Sequence, residues 1–375
     1  MKKILFFVST LYQGGAETIV KDYALLLDKK KFCVIVLCLR RMNTEYENIM
    51  KKNGIKVIFL YDYLLYKPTS AISRYLFGWM TFFRLDYILA RIIVKIIKPD
   101  VIHAHLLVLR YLRHFDLKRV KKIFYTVHSE PRKYWHGNTK DSKKEIDAAL
   151  WLVKNKGMRL IALQEPMRME LNAMFDVKNT IVMNNGIDFQ NFTNPRPSQE
   201  IRQELGIPNG AFVIGHVGRF AEPKNHSFIL DVFSRLLDQK KDSFLLLVGD
   251  GPQRDEVLSR IAALHLESNV KIVGNRTDVP DLLNAMDVFF FPSIYEGLGI
   301  ALIEAQKMGC PCVVSNRVPS AATISNLVTT LSLEDSKDKW VEALYKPAPE
   351  NVEYYDLEKW DMNNVVKELE IVYSE

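Results

Sequence analysis

The sequence predicts an α/β protein of two doubly wound parallel-sheet domains. Short apolar runs alternate with helix-length segments along the whole chain, which is the pattern of βαβ units. A chain of 375 residues also exceeds what one hydrophobic core usually supports, so two domains are expected. A stretch rich in Asn and Pro, NGIDFQNFTNPRPSQE, separates two series of apolar runs and predicts a linker.

The domain boundaries follow from that linker. We place the first domain at residues 1–190, the second at 191–352 and a terminal helix at 353–375, whose apolar positions need a surface to pack on. The strands expected in the first domain are KILFFVS, FCVIVLCL, IKVIFL, VIHAH, KKIFYTVH, RLIALQ and NTIVMNNG. Those expected in the second are FVIGHVGR, FLLLVGDG, VKIVG, VFFFPS, CVVSN and TTLSL.

Membrane-spanning and secreted classes are disfavoured. No run of about 18 uncharged apolar residues occurs, so no transmembrane helix is expected. The start, MKKILFFVSTLYQGGAE, resembles a signal peptide but lacks a small-residue cleavage site, so we interpret it as a first strand. The cysteines indicate reduced, buried thiols in a cytoplasmic protein, since they lie in apolar runs and form no C-x-x-C pair. They are Cys33, Cys38, Cys310 and Cys312.

The charge is distributed unevenly along the chain. Residues 1–190 carry 33 Lys and Arg against 17 Asp and Glu, whereas the remainder carries 18 against 27. The basic half therefore indicates an anionic partner. Nucleic acid is disfavoured because no recognised binding motif accompanies the charge. We expect the anionic lipids at the inner face of the cell membrane to be the partner, and hence a peripheral location there.

Polar and glycine-rich features follow many of the predicted strands. Doubly wound sheets bind ligands at the carboxyl ends of their strands, so this placement predicts a binding cleft between two such sheets. The features are Gly14-Gly15, His103, His105, His128, Arg219, Gly249-Asp250-Gly251 and Glu296-Gly297.

The first glycine turn is ambiguous by itself. Gly14 and Gly15 end a strand and open a helix, where free backbone N–H groups favour phosphate. A tight strand-to-helix turn would look the same. The absence of G-x-G-x-x-G argues against a nicotinamide-binding motif.

A pair of cations stands at a second strand-to-helix junction, in VGRFAEPKNHSFILDVF. Arg219 ends the strand, and Lys224 with Asn225 precedes the helix. Two cations there can clamp a diphosphate, and the guanidinium suits bidentate contact. The alternative is a solvated basic loop.

Two carboxylates frame a glycine-rich turn in YEGLGIALIE. Glu304 lies in the first turns of a helix, where it could simply complement the helix dipole. Glu296 lies in the loop before the helix and has no such explanation. The intervening Gly297, Leu298 and Gly299 let the backbone approach a ligand closely.

The histidines and the metal question are less informative. His128 precedes a polar and aromatic loop and is the histidine we favour for function; a strand-end histidine can equally be a hydrogen-bonded structural residue. No D-x-D occurs, so a metal–diphosphate site has no obvious motif, and we expect no metal.

An aromatic and basic segment runs from Tyr61 to Lys98. Its composition is typical of a membrane interface, to which we assign Tyr61–Phe83. For the part after Asp86, an ordinary helix pair packed on the sheet is at least as good an interpretation.

Taken together, these motifs resemble the retaining glycosyltransferases of family 4, which have the GT-B fold. The resemblance rests on GGAE, VIHAH, NGID, VGRFAEPKNH, LVGDGP, the segment from FPSIYEGLGIALIE to VVSN, and the tail; it covers nearly the whole chain and is weakest over residues 40–95. SNRVPSAA and TTLSLEDS are similar to glycosyltransferases of bacterial capsule and exopolysaccharide clusters.

The resemblance implies roles for the cations and carboxylates. Arg219 and Lys224 would hold the donor diphosphate and neutralise the leaving group. Glu296 would bind hydroxyls of the donor sugar, and Glu304 those of the ribose. Residues 297–299 would offer backbone N–H groups.

It also implies contacts from other loops. The Gly14-Gly15 turn would approach the diphosphate from the first domain, and His128 would contact the donor sugar. Asn275 and Arg276 would lie near the nucleotide base. The terminal helix would cross back onto the first domain, and no metal or other cofactor would be needed.

Three departures from the family pattern stand out. Leu298 replaces a frequent Phe, and Gln164 replaces a Ser; neither puts the assignment in doubt. RVPSAATIS replaces the usual glycine-rich loop after VVSN, which is expected to affect closure near the donor.

The resemblance implies a hexosyltransferase. It would move a hexose or N-acetylhexosamine from a nucleotide sugar, UDP-linked by preference, to a lipid-linked saccharide with retained anomeric configuration. Two alternatives stay open. A nucleotide-sugar epimerase would share the fold but release no UDP, and a non-catalytic GT-B subunit would bind a partner transferase.

Overall fold

The computed structural model describes residues 1–12, 14–64, 84–135 and 140–375. The chain divides into two compact units. Unit 1 comprises residues 1–186 together with 362–375, and unit 2 comprises residues 187–361. The aromatic positions between 65 and 83, to which membrane contact is assigned above, lie outside the described residues.

Unit 1 is built on a seven-stranded parallel sheet. Its strand order is β3-β2-β1-β4-β5-β6-β7, so the winding reverses between β1 and β4. The strands are β1 (Lys2–Val8), β2 (Phe32–Cys38), β3 (Lys56–Phe59), β4 (Val101–His105), β5 (Lys122–Thr126), β6 (Arg159–Ala162) and β7 (Ile181–Val182). The helices that connect them are α1 (Gly15–Leu26), α2 (Glu45–Lys52), α3 (Leu85–Ile97), α4 (Leu109–Leu112), α5 (Pro131–Trp135), α6 (Lys140–Lys156) and α7 (Glu165–Phe175).

Unit 2 is built on a six-stranded parallel sheet. Its strand order is β10-β9-β8-β11-β12-β13, and the winding reverses between β8 and β11. The strands are β8 (Phe212–Val217), β9 (Ser243–Val248), β10 (Val270–Gly274), β11 (Val288–Phe291), β12 (Cys312–Ser315) and β13 (Val328–Leu331). The helices are α8 (Ser198–Glu204), α9 (His226–Gln239), α10 (Arg254–Ala263), α11 (Val279–Asn284), α12 (Ile300–Lys307) and α13 (Lys337–Leu344).

The predicted fold class is confirmed. Each apolar run proposed from the sequence overlaps a strand, and the strand pairs are parallel. The central strands are apolar on both faces because helices cover both sides of a parallel sheet. In β1, Ile4 to Val8 are fully buried, and in β11 the same holds for Phe289 to Phe291.

The unit boundaries lie a few residues from the predicted ones. The chain passes from unit 1 into unit 2 after Gly186, whereas the predicted boundary follows residue 190. It returns to unit 1 at Met362, whereas the terminal helix was predicted to begin at residue 353. The segment interpreted as a linker packs on unit 2: Lys307 lies 5.1 Å above the Phe189 ring, and Arg196 pairs with Asp281. These long-range contacts are not visible in a composition of Asn and Pro.

The terminal helix α14 (Met362–Ser374) belongs to unit 1. It buries five side chains: Met362, Val365, Val366, Leu369 and Tyr373. Lys2 and Lys122 donate to its last carbonyls, at 2.7 Å to Ser374 and 2.8 Å to Val372. These contacts satisfy carbonyl groups that a helix end leaves unpaired, and they place cations at the negative end of its dipole.

The other class-level expectations can be compared directly. Within the part of the chain that the structure describes, no helix is long and apolar enough to cross a membrane. All four cysteines are free thiols; three are buried as expected, whereas Cys33 is only partly buried. Burial raises the pKa of Cys310 to about 12, so this thiol stays protonated and unreactive.

Candidate active site

The unit 2 site forms where the winding of the sheet reverses. Strands β8 and β11 are neighbours, so the loops that follow them lie side by side. The backbone N–H of Ile294 donates to the Pro223 carbonyl at 2.8 Å, and the Asn225 side-chain amide donates to the Pro292 carbonyl at 3.1 Å. Open α/β sheets bind ligands at such a reversal.

Lys224 and Glu296 meet at this point. The Lys224 Nζ lies 2.6 Å from the Glu296 Oε1, and both side chains are more than four-fifths buried. The same ammonium lies 4.5 Å from the centroid of the Phe291 ring at the end of β11. Lys224 and Glu296, 72 residues apart in the chain, thus form one ion pair that packs against an aromatic ring.

The loop after β8, which carries Arg219, packs against the loop after β9 and is hydrogen bonded to it. Gly249 has φ +136°, and a Cβ there would lie 2.1 Å from the Gly218 carbonyl oxygen, so only glycine fits. The Phe220 N–H donates to the Asp250 carbonyl at 3.1 Å. Arg219 itself is exposed, and its guanidinium pairs with no described residue. It is therefore open to an anionic ligand.

The glycine-rich turn between the two glutamates is buried. Leu298 is 2% exposed, and Gly299 has φ +93° at the N-cap of α12. Glu304 is the fifth residue of α12, and the first turn carries no acid. Because the dipole effect fades beyond the first turn, it does not account for Glu304.

The segment after β12, which departs from the family pattern, is fixed by the buried Gln306 of α12. The Gln306 amide donates to the Leu302 and Ala322 carbonyls at 2.9 and 2.8 Å. Its oxygen accepts from the Ile324 N–H at 2.8 Å and the Ser325 hydroxyl at 3.0 Å. Both donors and both acceptor positions of this amide side chain are used, so its bonds hold the segment after β12 in one conformation.

Asn275 and Arg276 follow β10, at the edge of the same sheet. Arg276 is engaged in ion pairs: it bonds Asp278 through two nitrogens, at 2.7 and 2.5 Å, and Glu204 at 3.3 Å. These ion pairs fix the orientation of the guanidinium plane.

In unit 1, the glycine turn opens helix α1. Gly14 is its N-cap, in extended conformation, and has no side chain of its own to cap the helix; the Glu17 carboxylate of the first turn lies beside it. Backbone N–H groups at the start of a helix are suited to an anion. Gly15 is exposed.

His128 lies two residues beyond β5 in a row of imidazoles. Its Nε2 is 2.9 Å from the His105 Nδ1, with the rings stacked at 5.2 Å between centroids. Burial lowers the pKa of His128 to about 3, so the ring is neutral at pH 7. His128 therefore supplies no positive charge to a ligand at this pH and can contact one only as a neutral hydrogen-bonding group.

Sequence reasoning missed the support of this row. The His103 Nδ1 is 2.5 Å from the Tyr373 hydroxyl of α14, and its Nε2 is 2.7 Å from the Thr126 hydroxyl. No sequence signal joins residues 103 and 373; only the docking of the last helix brings them together. In unit 2, the buried His216 and His226 lie beneath the Lys224 loop, and they were also missed. Burial lowers the pKa of His226 to about 4.

We expect His103→Gln to weaken the acid sensitivity of the fold. Burial lowers the pKa of His103 from about 6.5 to about 3, so its neutral form stabilises the native state at neutral pH. As the pH falls below 6.5, the unfolded state binds a proton that the native state refuses, and this stability is lost. Between pH 7 and pH 5 the wild type should lose about 2 kcal/mol more than the variant.

Urea titrations at the two pH values measure that difference. Comparing the two proteins cancels the opposing contribution of Glu145, whose pKa burial raises to about 7. Equal losses in both would show that His103 is protonated in the native state.

No group of three or more His, Cys, Asp or Glu side chains among the described residues is arranged to hold a metal ion. The positive charge that the unit 2 site presents comes from Lys224 and Arg219.

Comparison with solved structures defines the class. Anabaena HepE, solved in complex with UDP-glucose, superimposes with a TM-score of 0.71 at 21% identity, over 100% of this chain and 95% of that one. The fold of this protein is thus that of the GT-B glycosyltransferases.

Family models then identify the chain. Residues 13–191 match the model described as Glycosyltransferase Family 4, and residues 197–346 match the one described as Glycosyl transferases group 1. The chain belongs to the glycosyltransferases of family 4 and is a hexosyltransferase.

Individual relatives agree with this assignment. Glycosyltransferase EpsF of Bacillus subtilis is 28% identical over 92% of this chain and 88% of its own. The capsular polysaccharide biosynthesis glycosyltransferase CapH of Staphylococcus aureus is 23% identical over 100% and 99%. An Escherichia coli UDP-Gal:α-D-GlcNAc-diphosphoundecaprenol α-1,3-galactosyltransferase is 28% identical over 46% of each chain.

Proposed function

We propose that this enzyme transfers a hexose or N-acetylhexosamine from a UDP-sugar to a lipid-linked saccharide, with retention, during capsule or exopolysaccharide synthesis. The Lys224–Glu296 pair at the sheet reversal carries the proposal. The name of CapH supports a role in capsular polysaccharide synthesis, and the name of the E. coli transferase supports a lipid-linked acceptor. Retention rests on the family resemblance.

The chemistry needs positive charge at the diphosphate. Transfer breaks the bond from the anomeric carbon to the β-phosphate oxygen and joins that carbon to an acceptor hydroxyl oxygen; the hydroxyl proton leaves with UDP. Negative charge grows on the β-phosphate as the bond breaks. Lys224 and Arg219 would stabilise that charge, so we propose that no metal is required.

The Lys224–Glu296 contact is compatible with both proposed roles. An ammonium donates three hydrogen bonds and a carboxylate accepts about four, so each group keeps capacity after pairing. Lys224 would use its remaining donors on phosphate oxygens. Glu296 would accept from hydroxyls of the donor sugar and fix the orientation of its anomeric carbon.

The other roles follow the same chemistry. Glu304 would accept from the ribose hydroxyls, and Asn275 with Arg276 would flank the base. The turn at 297–299 and the Gly14-Gly15 turn would offer N–H groups to the donor. A neutral His128 would hydrogen bond the sugar.

A nucleotide-sugar screen tests the donor class. Because a ligand that binds the native state stabilises it, UDP-glucose, UDP-galactose or UDP-N-acetylglucosamine should raise the melting temperature, and GDP-mannose should not. Glu296→Gln should reduce the shift, whereas Lys240→Ala, at the opposite end of β8, should not. A shift with GDP-mannose alone would contradict the UDP assignment.

The reaction itself is tested with an α-GlcNAc-diphospho-lipid acceptor. UDP release that depends on the acceptor, and that persists in EDTA, is expected. Conversion of the donor sugar without release of UDP would instead identify an epimerase. The anomeric proton of the product, observed by NMR, decides between retention and inversion.

We further propose that the enzyme works at the cytoplasmic face of the membrane. The excess of Lys and Arg in residues 1–190 and the lipid-linked acceptor support this location.

A further inference from the structure

Helix α3 in unit 1 has two apolar faces. One packs in the usual way and buries Ala90, Ile93, Val94 and Ile97. The other is exposed: Ile88, Ile92 and Ile96 are 53%, 48% and 72% accessible, and Leu85 continues the row. The spacing of three or four residues places these side chains in one stripe.

The exposed stripe is not needed for folding. A helix on a sheet requires one apolar face, which the buried set of α3 already provides. Single exposed apolar residues are ordinary, but a row of four along one helix is a contiguous patch. Such a patch indicates a contact that forms outside this chain's own core.

Cations flank the stripe. Arg91 and Lys95 are exposed on α3, and Arg84 and Lys98 are exposed at its two ends. The one acid within residues 84–98, Asp86, is buried and accepts a 2.8 Å hydrogen bond from the Tyr111 hydroxyl. The accessible charge of the helix is therefore wholly positive.

One neighbouring cation, the exposed Arg113, adds to the positive surface of α3. His114 lies edge-on to Tyr87 of α3 with 5.0 Å between ring centroids. Its pKa is lowered by partial burial and then by Arg84, Arg113 and Arg91. Three guanidinium groups thus act on one imidazole, which shows how concentrated the positive charge is.

We propose that α3 lies in the plane of an anionic lipid surface, with the Ile88–Ile92–Ile96 stripe among the acyl chains and its cations at the headgroups. An apolar face bordered by Lys and Arg is the pattern of an interfacial helix. Thirteen residues span only about 20 Å, so the helix lies on the bilayer rather than across it. A second copy fits less well, because a two-fold contact would bring the same cations together.

This inference rests on the proposed function and adds the surface that brings the enzyme to its lipid-linked acceptor. It assigns membrane contact to a part of the chain, after Asp86, for which ordinary packing on the sheet was at least as good an interpretation of the sequence.

Flotation with vesicles tests the inference on the full chain. Wild-type protein should bind phosphatidylglycerol/phosphatidylcholine vesicles, bind pure phosphatidylcholine far less, and dissociate as salt is raised. Ile92→Ser/Ile96→Ser should weaken partitioning by about 100-fold. Arg91→Ser/Lys95→Ser should weaken it by about 25-fold, since each cation near an anionic surface contributes about fivefold.

Matched controls separate this surface from general effects. Ile371→Ser changes an isoleucine of α14 that is 60% exposed, and Lys240→Ser/Lys241→Ser removes two exposed cations of unit 2. Both should bind vesicles as wild type does. If the controls weaken binding as much as the α3 variants, or if the α3 variants bind normally, the inference is wrong.

Two further measurements separate the remaining outcomes. A wild-type dimer in lipid-free ultracentrifugation that Ile92→Ser/Ile96→Ser dissociates, without any vesicle binding, would overturn the proposal in favour of a contact between copies. UDP-sugar stabilisation is measured on every variant. Donor binding without vesicle binding overturns the α3 surface alone, and vesicle binding without donor binding overturns the proposed function alone.

Discussion

Replacing Lys224 with Ala is expected to lower kcat for sugar transfer by about 100- to 1000-fold, the usual effect of removing one preorganised charge from a transition state. The Lys224 Nζ is 2.6 Å from the Glu296 carboxylate and is held over the Phe291 ring. On the proposed mechanism, its removal deletes a cation at the leaving diphosphate. It also leaves Glu296 as an unpaired, largely buried anion beside a negatively charged donor.

A double-mutant cycle identifies the pair as a unit. Lys224→Ala, Glu296→Gln and the double variant are compared for acceptor-dependent UDP release, with Lys240→Ala as the control. Because the two side chains contact each other, the double variant should lose much less than the product of the single losses. Wild-type turnover in Lys224→Ala would remove this residue from the mechanism, and strictly multiplicative losses would show that the two residues act independently.

Removing α14 by truncation after Asp361 is expected to unfold unit 1. The helix buries four aliphatic side chains and Tyr373. At about 1.5–3 kcal/mol each, the four alone contribute about 6–12 kcal/mol. That sum is comparable to the whole stability of an ordinary domain, about 5–15 kcal/mol. Hydrogen exchange should show β1–β7 unprotected and β8–β13 still protected, since α14 belongs to unit 1.

Point variants refine this prediction. Leu369→Ala, at a fully buried position, should cost about 2–5 kcal/mol. Ile371→Ala, two residues away and 60% exposed, should change the free energy of unfolding by less than about 0.5 kcal/mol. Equal effects of the two variants, or protection of β1–β7 in the truncated chain, would show that α14 is dispensable for unit 1.

The strands could be predicted because their signal is local. A parallel strand covered on both faces is a short run of Val, Ile, Leu and Phe, as in Phe6 of β1 and Phe290 of β11, and both lie fully buried where predicted. Polar residues at the strand ends were predicted for the same reason, since a strand must stop where its apolar run stops. Arg219 and Glu296 were singled out by this rule, and Lys224 by its place just before the helix that follows.

Boundaries and supporting contacts could not be predicted in this way. The segment from Ile187 to Arg196 has the composition of a linker, yet it packs on unit 2 through Phe189 and Arg196. Gln306 looks like any polar helix residue, yet it is fully buried and holds the segment after β12 by three hydrogen bonds. These contacts depend on which residues the fold brings next to Phe189, Arg196 and Gln306, and the local sequence does not contain that information.

The sequence by itself determined the two parallel sheets and the order of the chemical groups at their edges, because apolar periodicity and strand ends are properties of neighbouring residues. Only the tertiary structure decided that Lys224 pairs with Glu296, that Tyr373 meets His103, and that α3 leaves a second apolar face exposed. Each of these depends on strand order and helix docking, which bring together residues far apart in the chain or leave a face without a partner. Glu296, a loop carboxylate without an explanation in the sequence, is one half of a charged pair that exists only in the folded sheet.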